Sequence, residues 1–486
     1  MDLEYSLQQA HLYYQSKNVE FARKIYRQIL RHDPMCAQAW NRLGIIAYES
    51  GRTEIGIQLV RQALEINSDQ PEFLVNLGQM LMKSDKFIEA VRVFQDALEK
   101  DPNDLDTITN LGISLTRVGK IDEAIQIYQY GLETNPNTAQ VYKNLGWAFE
   151  ETNRLEKAIQ AYQSAIRIDS EVGTTYADLA RVLYARGSLE ESIKNFRYAL
   201  KYTPEDALTY SNLGTAFKEN GQFDEAIQAY QKAISVNPKN AEVQNRLGNA
   251  FREYGMLDEA IQAYQKAIDA NPKYADSHSN LGTLLLMQGN LKHGWKELEW
   301  RWKSEKFAKN NKRLFPHPLW DGHQLTGKAI VIWSEQGIGD CIMFASLLFR
   351  LQQKAERILV ETQQRMVLLF RRSFPNIGFF CIQDPPNSRL LERSIDYQSS
   401  IGSLAQWLLP DEESFPKSSS YLKACADKTG EVRDEYQKLA MGKLLIGISW
   451  KSVNKDIGKL KSTSLIEWKD LLSQKDCFFI NLQYGD

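Results

Sequence analysis

Residues 207–240 read ALTYSNLGTAFKENGQFDEAIQAYQKAISVNPKN, and the pattern of this stretch recurs along the first 300 residues of the chain. Its Leu213-Gly214 pair has counterparts spaced 34 residues apart. These counterparts are Leu43-Gly44, Leu77-Gly78, Leu111-Gly112, Leu145-Gly146, Leu247-Gly248 and Leu281-Gly282, with Leu179-Ala180 in the remaining place. Self-similarity at a fixed period of this size predicts a stack of short helical units.

Other residues keep the same phase, and each has a mechanical reason. A small residue follows the glycine by twelve positions and a bulky apolar residue follows it by sixteen, as Ala226 and Tyr230 follow Gly214. The glycine allows another helix to come close, the small residue receives that approach, and the ring fills the gap between successive units. Prolines such as Pro238 break the chain between one unit and the next.

A further phased position lies between the two helices of each unit. It is occupied by Gly51, Asp85, Gly119, Asn153, Gly187, Gly221, Gly255 and Gly289. Glycine, asparagine and aspartate are the residue types that best tolerate the left-handed conformation at a helix end. The sequence therefore predicts a left-handed residue at each of these turns.

This pattern closely resembles the tetratricopeptide-repeat (TPR) family. We expect seven regular repeats over residues 37–274, a divergent N-terminal repeat or cap over 1–36, and a divergent last repeat with a linker over 275–312. The resemblance implies an α-solenoid, a right-handed superhelix whose first helices line the inside. Such a surface typically binds a polypeptide.

One residue before the leucine of the Leu-Gly pair, asparagine occurs in five repeats, as Asn76, Asn110, Asn144, Asn212 and Asn280. An asparagine amide can accept and donate hydrogen bonds, so a row of them could hold an extended peptide backbone. This arrangement resembles the asparagine ladder of O-GlcNAc transferase TPRs. The alternative is that asparagine here only suits a solvated helix face or a local turn contact.

Beyond residue 312 the pattern changes to alternating strands and helices. Buried strands are predicted at 329–333, at 358–360 and at 378–382, and residues 396–397 lie near a fourth. Elements of this size in alternation predict a parallel sheet with covering helices, an α/β Rossmann-like lobe over 313–443. A second lobe would begin at 444, with strands at 444–450 and 477–482.

A glycine-bearing loop, SEQGIGD at 334–340, follows the first of these strands. A strand, a glycine loop and a helix in succession suit phosphate binding through backbone amides, here at Gly337 and Gly339. The third glycine of a dinucleotide fingerprint is replaced by Ile342, which disfavours a nicotinamide enzyme. We expect no metal site, because His317 and His323 have no partners at metal-ligand spacing.

The C-terminal region resembles the domain that follows TPRs in many bacterial proteins, which is similar to ADP-heptose:lipopolysaccharide heptosyltransferases of the glycosyltransferase-B fold. The resemblance is carried by Pro318, Trp320, Gly322, Gly327, Lys328 and the segment EQGIGD at 335–340. It implies that Asp340 is the general base on an acceptor hydroxyl and that Lys451 and Lys461 approach a donor diphosphate. The alternatives are that Asp340 caps its helix and that the lysines are solvated loop residues.

The second lobe has 43 residues (444–486), whereas a complete doubly wound lobe needs about 100. The chain is therefore expected to be a fragment or to have lost the donor half of its site, and to be inactive alone. Two hypotheses follow. The first is a TPR-guided glycosyltransferase, of hexosyl or heptosyl type, that uses a nucleotide sugar as donor substrate. The second is a non-catalytic peptide-binding scaffold with an incomplete transferase domain.

The composition limits the partners. A formal net charge of −2 disfavours a general nucleic-acid or anionic-membrane binder. The five scattered cysteines form no C-x-x-C pair and are expected to be reduced thiols. The chain shows no basic, apolar leader and no apolar run long enough to span a membrane, so we expect a cytoplasmic protein that needs no cofactor.

Overall fold

The computed structural model describes residues 2–335, 337–415, 420–448 and 463–482. The chain divides into two compact units, residues 1–274 and residues 275–486. Across the described part of the chain, no helix combines the length and the apolar character that crossing a bilayer requires.

The described residues of the first unit form eight antiparallel helix pairs, each made of a first and a second helix. The helices are α1 Leu3–Gln15, α2 Val19–His32, α3 Ala37–Glu49, α4 Thr53–Ile66, α5 Pro71–Lys83, α6 Phe87–Lys100, α7 Leu105–Arg117, α8 Ile121–Thr134, α9 Ala139–Glu151, α10 Leu155–Ile168, α11 Gly173–Arg186, α12 Leu189–Tyr202, α13 Ala207–Glu219, α14 Phe223–Val236, α15 Ala241–Tyr254 and α16 Leu257–Ala270. Each helix packs against its pair partner, and each second helix from α2 to α14 packs against the first helix of the next pair, as expected for a solenoid.

The turns within the pairs are left-handed, as predicted. All eight named residues have φ between +56° and +93°, including Asp85 and Asn153 at +56°. Lys17, with φ of +62°, occupies the same place between α1 and α2. The turn carries the chain directly from the first helix into the second, because the left-handed residue ends the first helix.

The phased glycine and the phased aromatic residue contact each other within one helix pair. A Cβ atom built at Gly214 on α13 would lie 2.9 Å from ring carbon Cδ1 of Tyr230 on α14. The same relationship joins Gly146 to Tyr162, at 2.8 Å. The ring therefore lies over the glycine of its own pair. Burying such a ring contributes about 1.5–3 kcal/mol to stability.

First helices of successive pairs approach one another more closely than second helices do, as α5 with α7 and α7 with α9. The first helices therefore line the inner face of this unit. The cores are continuous between pairs: Tyr128, Leu145 and Tyr162, from α8, α9 and α10, belong to one buried cluster.

The second unit begins with one more helix pair and continues into an α/β region. Its helices are α17 Ala275–Met287, α18 Leu291–Leu298, α19 Glu305–Asn311, α20 Ile338–Ala345, α21 Leu348–Gln352, α22 Gln364–Ser373, α23 Ala405–Leu408, α24 Ala426–Ala440 and α25 Lys469–Leu472. Short 3-10 helices span Glu299–Lys303, Ser388–Leu390, Gly402–Leu404, Glu412–Ser414 and Leu465–Trp468. The strands are β1 Ala329–Trp333, β2 Arg357–Thr362, β3 Gly378–Cys381, β4 Tyr397–Ser400, β5 Leu444–Ile448 and β6 Cys477–Asn481.

Four strands form a parallel sheet in the order β3-β2-β1-β4, and β5 pairs with β6 in a separate parallel sheet. In the central strand, Ile330 pairs with Ile358 on one side and Tyr397 on the other. Every residue of β1 is buried, which a parallel sheet covered on both faces requires. The predicted strands are confirmed within the described residues, whereas residues 449–450 of the strand predicted at 444–450 lie outside them. Sheets of four and two strands do not identify a glycosyltransferase-B fold.

The segment before β1 is packed rather than a free linker. Residues 305–311 form α19, and Phe315, Trp320 and Leu325 are buried. His317, also buried, makes a 2.9 Å hydrogen bond through Nε2 with the carbonyl oxygen of Leu390. Pro316 and Pro318 disfavour regular structure in this segment, but its three buried apolar residues pack against the sheet.

Candidate functional site

The predicted asparagine row lies on first helices. Asn76, Asn110, Asn144 and Asn212 are on α5, α7, α9 and α13 of the first unit, and each side chain is half-buried. Asn280 is on α17 and belongs to the second unit. The four amides of the first unit therefore share the inner face.

The amides of this row differ in what they bind. Asn76 donates from Nδ2 to Oδ1 of Asn41, 3.2 Å away, and Asn144 accepts at Oδ1 from Gln140, 2.9 Å away. The Nδ2 group of Asn144 is buried with no hydrogen-bond partner. Within the described residues, Asn110 and Asn212 make no side-chain hydrogen bond. Local contacts therefore occupy part of the row and leave donors and acceptors available on it.

A cleft of about 420 Å³ opens on the inner face where α11, α13 and α15 come together. It is lined by Arg181, Tyr184, Phe196, Asn212, Thr215, Lys218, Glu219, Tyr230, Arg246 and Asn249. The rings supply an apolar floor and the longer side chains a charged rim. Three successive first helices thus contribute to one concave site.

The cations at this rim are paired with carboxylates. Arg181 contacts Glu150 and Asp178, the latter at 2.9 Å. Lys218 lies 3.1 Å from both Glu219 and Glu253. Burial acts to lower the pKa of the Lys218 ammonium, but these two carboxylates outweigh it and raise that pKa. The rim therefore offers both signs of charge side by side.

Tyrosine hydroxyls reach from the second helices to the inner face. The Tyr264 hydroxyl donates to Oδ1 of Asn249 at 2.8 Å, and the Tyr230 hydroxyl lies 3.0 Å from Oγ1 of Thr215. Burial raises the pKa of Tyr264 to about 12, so its hydroxyl stays protonated at neutral pH. These hydroxyls position polar side chains of the face. Sequence reasoning treated the rings only as filling, although tyrosine rather than phenylalanine at the phased position was the available signal.

The C-terminal candidates lie after β1. Gly337 precedes α20, and Gly339 and Asp340 are in its first turn. Neither glycine has a positive φ, and a Cβ atom at Gly339 would meet nothing within 4 Å. The Asp340 side chain makes no hydrogen bond to a described residue, so it does not cap the helix there. The proposed donor lysines, Lys451 and Lys461, lie outside the described residues.

A buried ion pair occupies the ends of β1 and β4. Arg301, from the 3-10 helix after α18, contacts Glu335 through Nε at 3.1 Å and Nη2 at 3.2 Å. Ser400 Oγ and the Gly402 amide donate to Glu335 Oε1, at 2.9 and 2.8 Å. A side chain at Gly402 would collide with that carboxylate oxygen. This ion pair links the 3-10 helix that follows α18 to the carboxyl end of β1.

Sequence reasoning missed both members of this pair. The available signals were a charged residue within the aromatic run EWRWK at 299–303 and a carboxylate two residues past the end of a fully apolar strand. A second pair, Arg313 with Glu361, was also missed. Its two hydrogen bonds measure 2.7 and 2.8 Å, and the Glu361 side chain is fully buried.

Family comparisons agree with the repeat architecture. Residues 7–71 match the tetratricopeptide repeat, and residues 70–284 match the C-terminal domain of cilia and flagella-associated protein 70. The chain therefore carries TPR repeats over these residues. Both matches end before the α/β region, so the resemblance to heptosyltransferases stays a prediction.

Similar individual proteins cover only part of the chain. Protein FlbA of Caulobacter vibrioides is 28% identical over 217 residues, which are 42% of this chain and 36% of FlbA. The chain thus matches about a third of that relative's length. Solved structures include YrrB, a TPR protein with an unusual peptide-binding site (21% identity, 38% of this chain, 95% of YrrB, TM-score 0.35). MamA of Desulfovibrio magneticus RS-1 is 21% identical over 35% of this chain and 95% of its own, with a TM-score of 0.33.

Proposed function

We propose that the inner face of the first unit binds an extended polypeptide, centred on the cleft between α11, α13 and α15. The observation that carries this proposal is the cleft itself, where the Asn212 amide has no hydrogen-bond partner among the described residues and lies beside an apolar floor and a rim of paired charges. A concave, partly apolar site with a few convergent polar groups is the usual form of a binding site.

The spacing of the asparagines suits a peptide backbone. Packed helices lie about 8–10 Å apart, and an extended chain advances about 3.3 Å per residue. Where asparagines occupy successive first helices, as on α5, α7 and α9, each amide would therefore meet every third peptide unit of the bound chain. Because backbone groups are the same in every residue, this row would give affinity, whereas the cleft would select the side chain that enters it.

The paired charges suit a bound segment that carries both signs. Lys218 and Arg181 can exchange a carboxylate of their own face for one on the partner, and Glu219 can receive a partner's lysine or arginine. Such exchange keeps the net charge of the complex low. The interaction should therefore depend less on salt than binding to a purely basic surface does.

The test is peptide selection on the full chain from a random-sequence display library, followed by fluorescence polarisation. Asn144→Ala and Asn212→Ala should each weaken the selected peptide about two- to tenfold, the cost of one hydrogen bond of 0.5–1.5 kcal/mol. Asn195→Ala is the matched control, because its exposed amide donates to the Glu191 carbonyl on second helix α12. Equal affinity for all three variants would contradict the proposal.

Sugar transfer by the C-terminal region is the second candidate. Two features of the described residues favour it. The strand order β3-β2-β1-β4 matches four neighbouring strands of the doubly wound order 3-2-1-4-5-6. Asp340 follows the carboxyl end of β1, and its side chain makes no hydrogen bond to a described residue. Under this proposal Asp340 accepts a proton from the acceptor hydroxyl, and Lys451 and Lys461 hold the donor diphosphate.

Calorimetric titration with ADP-sugars and UDP-sugars tests the second candidate. Binding that Lys451→Ala weakens would support a donor site, and binding that Asp340→Ala leaves intact would agree with a role for Asp340 on the acceptor side. If no donor binds while circular dichroism shows intact helices, the scaffold function stands without transfer.

A further inference from the structure

A second cleft in the first unit lies between second helices α2 and α4, with α3 as its floor, and measures about 400 Å³. Its walls are apolar side chains of three helices, and its rim is made of arginines. The residues that line it include Arg23, Arg27, Arg31, Arg52, Trp40 and Leu59. It is separate from the inner-face cleft, which is formed by α11, α13 and α15.

Most of these arginines have no carboxylate partner. Arg23 pairs with Glu20, but Arg27, Arg31 and Arg52 form no ion pair or side-chain hydrogen bond with any described residue. All three are exposed. Four guanidinium groups thus share a single carboxylate at this cleft.

The repeat pattern shows that this imbalance is local. At the turn positions that correspond to Arg52, Lys86 reaches back to Glu54 at 2.8 Å and Arg154 reaches back to Asp122 at 2.7 Å. The residue that would complete the same pair for Arg52 is Glu20, and its carboxylate is engaged by Arg23. The first two pairs therefore present cations that later pairs neutralise internally.

The combination of floor and rim defines the chemistry of a partner. Trp40 and Leu59 offer a recess for a bulky apolar side chain, and the guanidinium groups around it offer hydrogen bonds and charge to carboxylates. A nucleic-acid backbone would use the cations but would leave the apolar recess unfilled. We propose that this cleft binds an acidic polypeptide segment that inserts a leucine or aromatic side chain between α2 and α4.

The proposal is tested with fluorescein-labelled peptides in which glutamates flank a Leu-Phe, Leu-Leu or Phe-Trp pair, measured on the full chain by polarisation. We expect binding by at least one of them, weakened at least about tenfold by the double substitution Arg27→Glu with Arg31→Glu. Arg92→Glu is the matched control, because Arg92 is an exposed, unpaired arginine on second helix α6. It should change affinity less than about twofold.

Three further arms decide between occupants. A peptide with Ser-Ser in place of the apolar pair should lose most of its affinity, and Asn212→Ala should leave binding unchanged, which separates this cleft from the inner face. Displacement of the peptide by duplex DNA or by phosphatidylserine vesicles through the same arginines would overturn the proposal. So would the absence of binding by every such peptide up to about 1 mM, with circular dichroism showing folded repeats.

Discussion

The Tyr264 hydroxyl on α16 donates a 2.8 Å hydrogen bond to the Asn249 amide oxygen on α15. This bond links the buried core of the helix pair to its inner face. The same ring packs on Gly248, one residue before Asn249. The Tyr264 side chain therefore packs α16 against α15 and also orients the Asn249 amide on the proposed binding face. Stability and recognition are coupled at this position, which makes it a direct test of both.

Tyr264→Phe should lower the free energy of unfolding by about 0.5–1.5 kcal/mol, because Asn249 loses a hydrogen bond. Tyr128→Phe is the matched control. Its hydroxyl is buried and makes no hydrogen bond to any described residue. Removing that hydroxyl should be neutral or stabilising. Urea unfolding followed by circular dichroism measures both, and equal losses would contradict the assigned hydrogen bonds.

Gly146→Ala should destabilise the solenoid by about 1–3 kcal/mol, the usual cost of overpacking a dense core. The new methyl group would lie 2.8 Å from two ring carbons of Tyr162, a side chain with no exposed surface. Glu151→Ala, at an exposed position of the same helix α9, should change stability by less than about 0.5 kcal/mol. The denaturant midpoint is the measurement, and an unshifted midpoint for Gly146→Ala would show that the ring can move aside.

Arg301→Ala should destabilise the second unit by about 3–5 kcal/mol, because it leaves the buried Glu335 carboxylate without its counter-charge. The control is Arg357→Ala, which breaks the 3.0 Å pair with Glu392 at the surface and should cost less than about 1 kcal/mol. Hydrogen exchange of β1 and β4 amides localises the effect. Comparable protection in the two variants would mean that Arg301 does not stabilise these strand ends.

Asp396 should make the second unit sensitive to acid. Hydrogen bonds from the Lys328 ammonium and the Ala329 amide, both 2.9 Å, lower the pKa of the Asp396 carboxyl. A carboxyl with a lowered pKa stabilises the folded state above its unfolded pKa of about 3.9, and that contribution disappears as pH falls through the folded pKa. Asp396→Asn should therefore reduce the thermal midpoint at pH 7 and flatten its decline below pH 4.

The repeated part of the fold was predictable because its signals are local and recur. A left-handed turn at Asn153 follows from residue type and phase alone, and the 34-residue period supplies the register. The TPR prediction is confirmed, and so are the strands of the α/β region. The roles of the inner-face asparagines, and of Asp340 and the two glycines, stay predictions.

The remaining features of the fold depend on contacts that do not recur with the 34-residue period. Arg301 meets Glu335 across an irregular segment, and nothing in either local sequence indicates the partner. The burial of Phe315 and Trp320 against the sheet was not predicted, because the prolines near them favour irregular backbone. Irregular backbone can still carry apolar side chains into a core. The arginine-rimmed cleft became visible only when the pairing of each charge was known.

The glycine and the ring that fill each other's space belong to the same 34-residue unit. An in-frame duplication or deletion of whole units would carry both halves of that contact together, whereas a change in length that is not a multiple of 34 residues would break the phase of the repeat. A gene of this kind can thus grow or shrink in steps of one unit while each step remains foldable. The length of the binding face would then change by one helix pair at a time.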